Sequence, residues 1–262
     1  MNILVCVKQV PASNRVEVDP VTGVLKREGA DAKLNPYDLY ALETALRLRE
    51  AHGGSVSVLS MGPPQAMAAI GEAFSMGCDA GALISDRRFG GADVLATAYT
   101  LSQGARRLGN FDLILCGKQT TDGDTAQVGS EMAEFLALPS LSNVTRITAV
   151  TSRDITVEMD LPGDIETARI PFPCLLSVDK DIYMPRLPSY VKKQATRGRI
   201  IPVFTLDDME DTDEAHYGLS GSPTQVQRIF PPESNTVQEF WHGSGGELGD
   251  RLFEKLRSEK LL

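Results

Sequence analysis

Short apolar runs alternate with helical patterns through the first half of the chain, and this alternation limits the fold more than any single motif. Asn2 to Val10 is a continuous apolar run, as expected of a strand covered on both faces. Asn35-Pro36 then opens a helix: asparagine suits the N-cap, proline the first turn, and Asp38 falls at the third helical position. Leu39, Leu42 and Leu46 supply a buried stripe, and Gly53-Gly54 ends it. Ser55 to Met61 reads as a second strand, leading through Gly62-Pro63-Pro64 into a helix that ends near Gly77. Ala82 to Ser85 is a third strand, and Gly90-Gly91-Ala92-Asp93 opens a helix running to about Leu108. Phe111 to Cys116 is a fourth strand, followed by a polar glycine-bearing loop and a helix opening near Thr125. Repeated strand–helix units of this length predict an α/β fold, doubly wound, with a mostly parallel sheet and helices on both faces.

Ligands of such sheets bind beyond the carboxyl ends of the strands, where the strand order reverses. The loops expected there are Lys8 to Pro11, Met61 to Pro64, Asp86 to Gly91 and Gly117 to Asp124. The last of these is the most informative. A strand running through a loop into a helix N-terminus makes an anion cradle, because the free N–H groups and the positive end of the helix dipole point into the loop. Gly117 and Gly123 allow close backbone approach. Taken alone, the same residues also fit a plain turn, with Asp122-Gly123 as the turn pair and Asp124 or Thr125 as an ordinary cap. Neither a Walker A motif nor GxGxxG occurs.

After Pro139 the pattern changes. Val144 to Val150, Ile155 to Leu161 and Thr167 to Ile170 read as antiparallel strands added to the sheet, and Cys174 to Val178 as a return strand. Tyr183 to Arg199 is basic and proline-containing, and from Ile200 onward there is little periodicity until a terminal helix, roughly Glu247 to Lys260. The expected organisation is an α/β nucleotide-binding domain over residues 1–185, then a basic loop and C-terminal arm over 186–262. The arm is too poor in apolar residues to hold its own core. A formal net charge of −9 argues against general affinity for nucleic acid or acidic membranes. No apolar run approaches the ~20 residues that span a bilayer. The four scattered cysteines, without a CxxC pair, and the absence of a signal-like N-terminus point to the cytoplasm, and three dispersed histidines offer no metal site.

At this level of detail the chain resembles the β subunit of electron transfer flavoproteins. The resemblance rests on Val5-Cys6-Val7-Lys8-Gln9-Val10, Asn35-Pro36-Tyr37-Asp38, Met61-Gly62-Pro63-Pro64 and Gly77-Cys78-Asp79. It continues through Asp86 to Asp93, Cys116 to Gly129 and Gly221-Ser222-Pro223-Thr224-Gln225-Val226, in order and over nearly the whole length. It implies a nucleotide site made by Cys6 and Lys8, by Asn35, Pro36, Tyr37 and Asp38, and by Met61. Around the phosphates it places Gly117, Lys118, Gln119, Thr120, Thr121, Asp122, Gly123, Asp124, Thr125, Ala126, Gln127 and Val128. Asp122 and Asp124 would repel phosphate, so main-chain N–H groups must supply the attraction.

One branch of the family holds AMP in this site. The other holds FAD and bifurcates electrons from NADH, and the chain resembles this second branch through Asn35 to Asp38, Asp86 to Asp93 and Gly221 to Thr224. Arg87, Arg88, Phe89, Gly90, Gly91, Thr97, Ser222, Pro223 and Thr224 are then expected around the flavin, with Val94 where many flavin-holding members have threonine. The implied role is to accept a hydride from NADH and pass electrons to the FAD of an α subunit and to a low-potential carrier, ferredoxin or flavodoxin. Beyond the α subunit lies a flavin-dependent dehydrogenase such as an acyl-CoA dehydrogenase. Leu187-Pro188 would dock redox partners, and the stripe Leu248, Leu252, Phe253 and Leu256 would cover this chain's own sheet or, the favoured reading, that of the α subunit. No side chain need act as acid, base or nucleophile. The alternatives are an AMP-holding β subunit of a simple electron carrier and, from other classes, a nucleotide-binding regulatory module or an adenylating enzyme.

Overall fold

The computed structural model describes residues 1–12, 32–227 and 238–262. In chain order the elements are β1 (Asn2–Cys6), β2 (Gln9–Pro11), β3 (Ala32–Leu34), α1 (Pro36–His52), β4 (Ser55–Met61), α2 (Met67–Met76), β5 (Ala80–Ile84) and α3 (Val94–Leu108). There follow β6 (Leu113–Gly117), α4 (Val128–Leu136), β7 (Ser140–Val150), β8 (Asp154–Leu161), β9 (Asp164–Pro171), β10 (Cys174–Val178), α5 (Tyr190–Ala195), β11 (Val203–Phe204) and α6 (Gly245–Ser258).

Nine strands form one sheet in the order β11-β5-β4-β1-β6-β10-β7-β8-β9. The pairs from β11 across to β7 are parallel, and β7-β8-β9 is an antiparallel extension. The central strands are apolar on both faces because each face carries helices. Ile3, Val5, Leu113 and Leu115 pack on the side of α1 and α2. Leu4, Cys6, Ile114 and Cys116 pack on the side of α3 and α4. The expected doubly wound α/β architecture with an antiparallel addition is therefore the observed one.

Three expectations are corrected. The apolar run does not continue as one strand to Val10: β1 stops at Cys6, and Gln9–Pro11 pairs instead with Ala32–Leu34 in a separate antiparallel ribbon. The chain leaves the sheet at Lys8, whose N–H donates to the Asp38 carboxylate. α4 opens at Val128, not near Thr125, because Asp124 and Ala126 both adopt left-handed backbone angles that cannot continue a helix.

The third concerns the arm. The chain divides into two units, Met1–Gln227 and Arg228–Leu262, so the boundary does not fall at residue 185. Residues 186–227 stay with the α/β body because β11 pairs in parallel with β5 and because Leu206, Met209 and Tyr217 are buried in the core beside α3. In the second unit α6 begins with a capping box between Ser244 and Glu247 and has no buried residue. Among the described residues, no helix is long and apolar enough to cross a membrane.

Candidate functional site

From β1 the chain steps outward to β4 and β5, then returns to place β6 on the other side of β1. The strand order thus reverses between β1 and β6, where Cys6 stands in register with Cys116. A crevice at the carboxyl ends of these two strands is the place where such sheets take ligands. The loop from Gly117 to Gln127 rises from it, and it is stapled to the start of α1. Asn35 occupies the N-cap position but makes no side-chain capping bond. Its amide nitrogen instead donates to Asp38 Oδ1 and to the Gln119 carbonyl, both at 2.9 Å, and its Oδ1 accepts from the Thr121 N–H at 3.3 Å. Asp38 Oδ2 accepts from the Lys8 N–H at 2.7 Å. Gly117 passes so close that a methyl group there would strike the Asp38 carboxylate and lie 2.7 Å from the Tyr37 carbonyl carbon. Burial pushes the Asp38 carboxyl up to about 7, against the pull of hydrogen bonds from Asn35, Lys8 and Gly117.

Further along the loop, Asp124 (φ 54°) and Ala126 (φ 56°) are left-handed although neither is glycine. Such strain marks functional loops, and a left-handed residue followed by a right-handed one, here Ala126 and Gln127, turns successive N–H groups into one concavity. The N–H groups of Thr125, Ala126 and Gln127 have no acceptor among the described residues. The concavity opens at the N-terminus of α4, where first-turn donors and the helix dipole add to it.

The carboxylates that would oppose an anion are engaged. Asp122 takes both bonds of the Lys8 ammonium, at 2.8 and 2.9 Å, and accepts from the Gly123 N–H. Burial raises the Asp122 carboxyl, but Lys8 outweighs it and holds it below its ordinary range. Asp124 accepts from Gln119 Nε2, and Lys118 pairs with Asp179 at 2.7 Å. The loop therefore offers main-chain amides beside an Asp122 charge already paired with Lys8, and these residues fit the phosphates of a nucleotide.

The second group lies around Asp93. Its Oδ1 caps α3 by accepting from the Ala96 N–H, and its Oδ2 accepts from both the N–H and the hydroxyl of Thr224. The Ser222 hydroxyl accepts from the Asp93 N–H and donates to the Gly218 carbonyl. These bonds join the Asp86–Asp93 loop to the Gly221–Thr224 turn, two segments far apart in the chain. Pro223 lies between the two bonded residues, and Leu219 N–H donates to the Gly90 carbonyl while Gly91 turns with φ 75°. Phe89 is buried against Tyr217, with ring centroids 5.4 Å apart, and Thr97 stands in the first turn of α3. Arg88 is committed to Asp86 at 2.6 Å and to Asp207 and Glu214, and the Asp86 carboxyl is held well below its ordinary range by that arginine. Arg87 is exposed and makes no ion pair among the described residues. Met61 ends β4 at the same sheet edge.

One functional candidate carried no sequence signal. Glu131, in the first turn of α4, has a buried Oε2 without a hydrogen-bond partner among the described residues. Burial, then the charge of Asp93, raises its carboxyl above the ordinary range. Glu131 thus faces the Asp93 group from the helix that the cradle opens onto. Leu187 and Pro188 stand apart from both groups, on the exposed stretch before α5.

The electron transfer flavoprotein domain matches residues 22–209. The chain is 40% identical to the electron transfer flavoprotein subunit beta of Thermoanaerobacterium thermosaccharolyticum over the whole of both chains. It is 42% identical to that of Clostridium acetobutylicum over 99% of each. It is also 39% identical, over the full length of both, to the caffeyl-CoA reductase-Etf complex subunit CarD of Acetobacterium woodii. With the crevice at the β1/β6 reversal and this agreement along its length, the chain belongs to the electron transfer flavoprotein β-subunit family.

Proposed function

We propose that this β subunit holds FAD in the crevice, receives a hydride from NADH, and passes single electrons to the FAD of an α subunit and to a low-potential carrier. The observation that carries the nucleotide assignment is the run of amides from Thr125 to Gln127, unpaired among the described residues, beside an Asp122 carboxylate whose charge is paired with Lys8. FAD, when bound, supplies the chemistry that takes two electrons together and releases them singly. The residues of the chain hold and tune. The loop from Gly117 to Val128 binds the phosphates, Asn35 and Asp38 fix the loop, and the Asp93 group with Ser222 and Thr224 shapes the far end of the crevice. Because Arg88 is locked by Asp86, Arg87 is the arginine left to approach a flavin. Its charge favours an anionic reduced form and raises the potential. Glu131 stands at the same end of the crevice, its carboxyl raised above the ordinary range by burial and then by the charge of Asp93.

Partners follow from the same reading. α6 presents Leu252 and Phe253 to solvent and is assigned to the α subunit, and Leu187-Pro188 to a redox partner. CarD belongs, by its name, to a complex with a caffeyl-CoA reductase, which supports a flavin-dependent acyl-CoA dehydrogenase as the partner here. The test is a visible spectrum and flavin count of the purified heterodimer. Two flavins per heterodimer are expected, and one flavin with AMP would return the chain to the simple-carrier branch.

A further inference from the structure

From Tyr183 to Tyr190 the chain repeats every three residues, although it belongs to no helix or strand before α5. Tyr183, Arg186 and Ser189 turn towards the body, while Met184, Leu187 and Tyr190 are 83%, 87% and 73% exposed. A repeat of three is the pitch of an extended polyproline segment, and Pro185 and Pro188 fall on its remaining row. The inward row is tied at each turn. The Tyr183 ring lies under the Arg47 guanidinium at 4.7 Å. Ser189 N–H donates to the Ser75 carbonyl at the end of α2.

The middle tie is the strongest. Arg186 donates to Glu43 from its main-chain N–H (3.1 Å), from Nε (2.7 Å) and from Nη2 (3.2 Å). It also donates to Glu50 from Nη1 at 2.5 Å and from Nη2 at 3.1 Å. Glu43 is a charged side chain only 2% exposed, and Arg47 Nε holds its other side at 2.8 Å. Burial raises the Glu43 carboxyl, yet the two arginines outweigh this and keep it ionised. Glu43, Arg47 and Glu50 share one face of α1 at helical spacing. A buried carboxylate facing a guanidinium fork is a costly arrangement for a surface loop that needed no fixed shape.

We propose that Arg186 is a positioning residue, and that its clamp on Glu43 and Glu50 holds Met184, Leu187 and Tyr190 as one rigid apolar ridge that inserts into an acidic-rimmed apolar groove of a partner protein. This rests on the reading that Leu187 docks redox partners, and adds to it the other two ridge residues and the device that fixes them. The sign of the rim follows from charge. In a chain of net charge −9, the residues directly after the ridge include Lys192, Lys193, Arg197 and Arg199, all exposed. Lys193 and Arg197 make no ion pair among the described residues. Fixing the ridge beforehand removes an ordering cost from every encounter, so the clamp acts on partner affinity and not on electron transfer within the bound complex.

The experiment uses the cofactor-loaded heterodimer and a purified flavin-dependent acyl-CoA dehydrogenase as probe, with the dehydrogenase concentration varied. Arg186→Ala should raise the KM for the dehydrogenase about tenfold with kcat nearly unchanged. Arg186→Lys should recover part of this, because an ammonium keeps the charge but not the fork. Hydrogen exchange at the Arg186 and Ser189 amides should accelerate in Arg186→Ala. Leu187→Ala, which leaves the clamp intact, should raise KM without changing exchange. If Leu187→Ala raises KM and no Arg186 variant does, the clamp is idle and the docking reading survives. If Leu187→Ala leaves KM unmoved, the docking reading fails and the ridge with it. Should Arg186→Ala not fold, Arg186→Lys and Glu50→Gln at the exposed end of the clamp carry the test, and unchanged KM in both overturns the proposal.

Discussion

Asp38 joins the end of β1, the start of α1 and the root of the cradle through one buried carboxyl. Unfolded, such a group titrates near its ordinary 3.8; folded, burial holds it at about 7. Between those values the native state binds more protons than the unfolded one. The stability contributed by Asp38 is complete below pH 3.8 and is lost as pH rises through about 7. A raised shift of this size corresponds to a few kcal/mol, on the order expected for a buried acid. Thermal unfolding should therefore show a fall in Tm across this window that Asp38→Asn flattens; parallel pH profiles for the two proteins would refute the assignment. Asp122 behaves in the opposite way. Its pair with Lys8 is partly solvent-exposed, so Asp122→Asn should change stability by less than ~1 kcal/mol. The same substitution frees the Lys8 ammonium beside the amides of the cradle. Nucleotide retained after gel filtration should stay equal or rise, and its loss would mean that the Lys8–Asp122 pair is itself needed for the loop.

At the scale of elements, each of the two groups of the site is tied by one side chain. Asn35 ties the loop to α1, and Asp93 ties the segment after β11 to the head of α3. Asp93→Ala removes a helix cap and both bonds to Thr224, which should cost about 1–2 kcal/mol. It should also speed exchange at the Thr224 amide and lower the Glu131 carboxyl pKa, because the Asp93 charge is one of the two causes that raise it. Carbon-13 titration of Glu131 with exchange mass spectrometry measures both. An unmoved Thr224 amide would show that the turn is held by something other than Asp93. This link was half legible beforehand. Asp86 to Asp93 and Gly221 to Thr224 both stood out as segments, but nothing in either announces that a carboxylate of the first bonds the hydroxyl of the second.

At the scale of the molecule, the second unit has an amphipathic helix and, among the described residues, no buried side chain. Its exposed Leu252 and Phe253, with Phe240 before them, are an apolar surface that water covers poorly. Amides of 245–258 should exchange rapidly in the isolated chain and become protected on adding the α subunit. Equal protection in both states would remove the α subunit as the partner of this helix. The stretch 200–224 belongs to the first unit and should be protected in both. It lacks periodicity and reads in sequence as part of the arm, yet Leu206, Met209 and Tyr217 are buried singly, each in a niche made by other elements. Periodicity detects a face laid along a core; it cannot detect isolated anchors.

What the chain itself determined was the order of elements and the sheet edge that carries the site. Both follow from local physics: apolar runs buried on two faces, glycine and proline at boundaries, and the hand of strand–helix–strand connections. The fold class, the parallel centre, the antiparallel addition and the terminal helix were legible for that reason. Only the tertiary structure decided what each polar side chain does. Asn35 looked like a helix cap and is a staple across 84 residues of sequence. Asp122 looked repulsive and is neutralised by Lys8, 114 residues away. Gly117 meets Asp38 and Tyr37, whereas a methyl group at Gly123 would touch only Thr120 Oγ1, at an ordinary 3.5 Å. A side chain of one or two rotatable bonds acts over a few ångströms, and the fold alone settles which groups come within that reach.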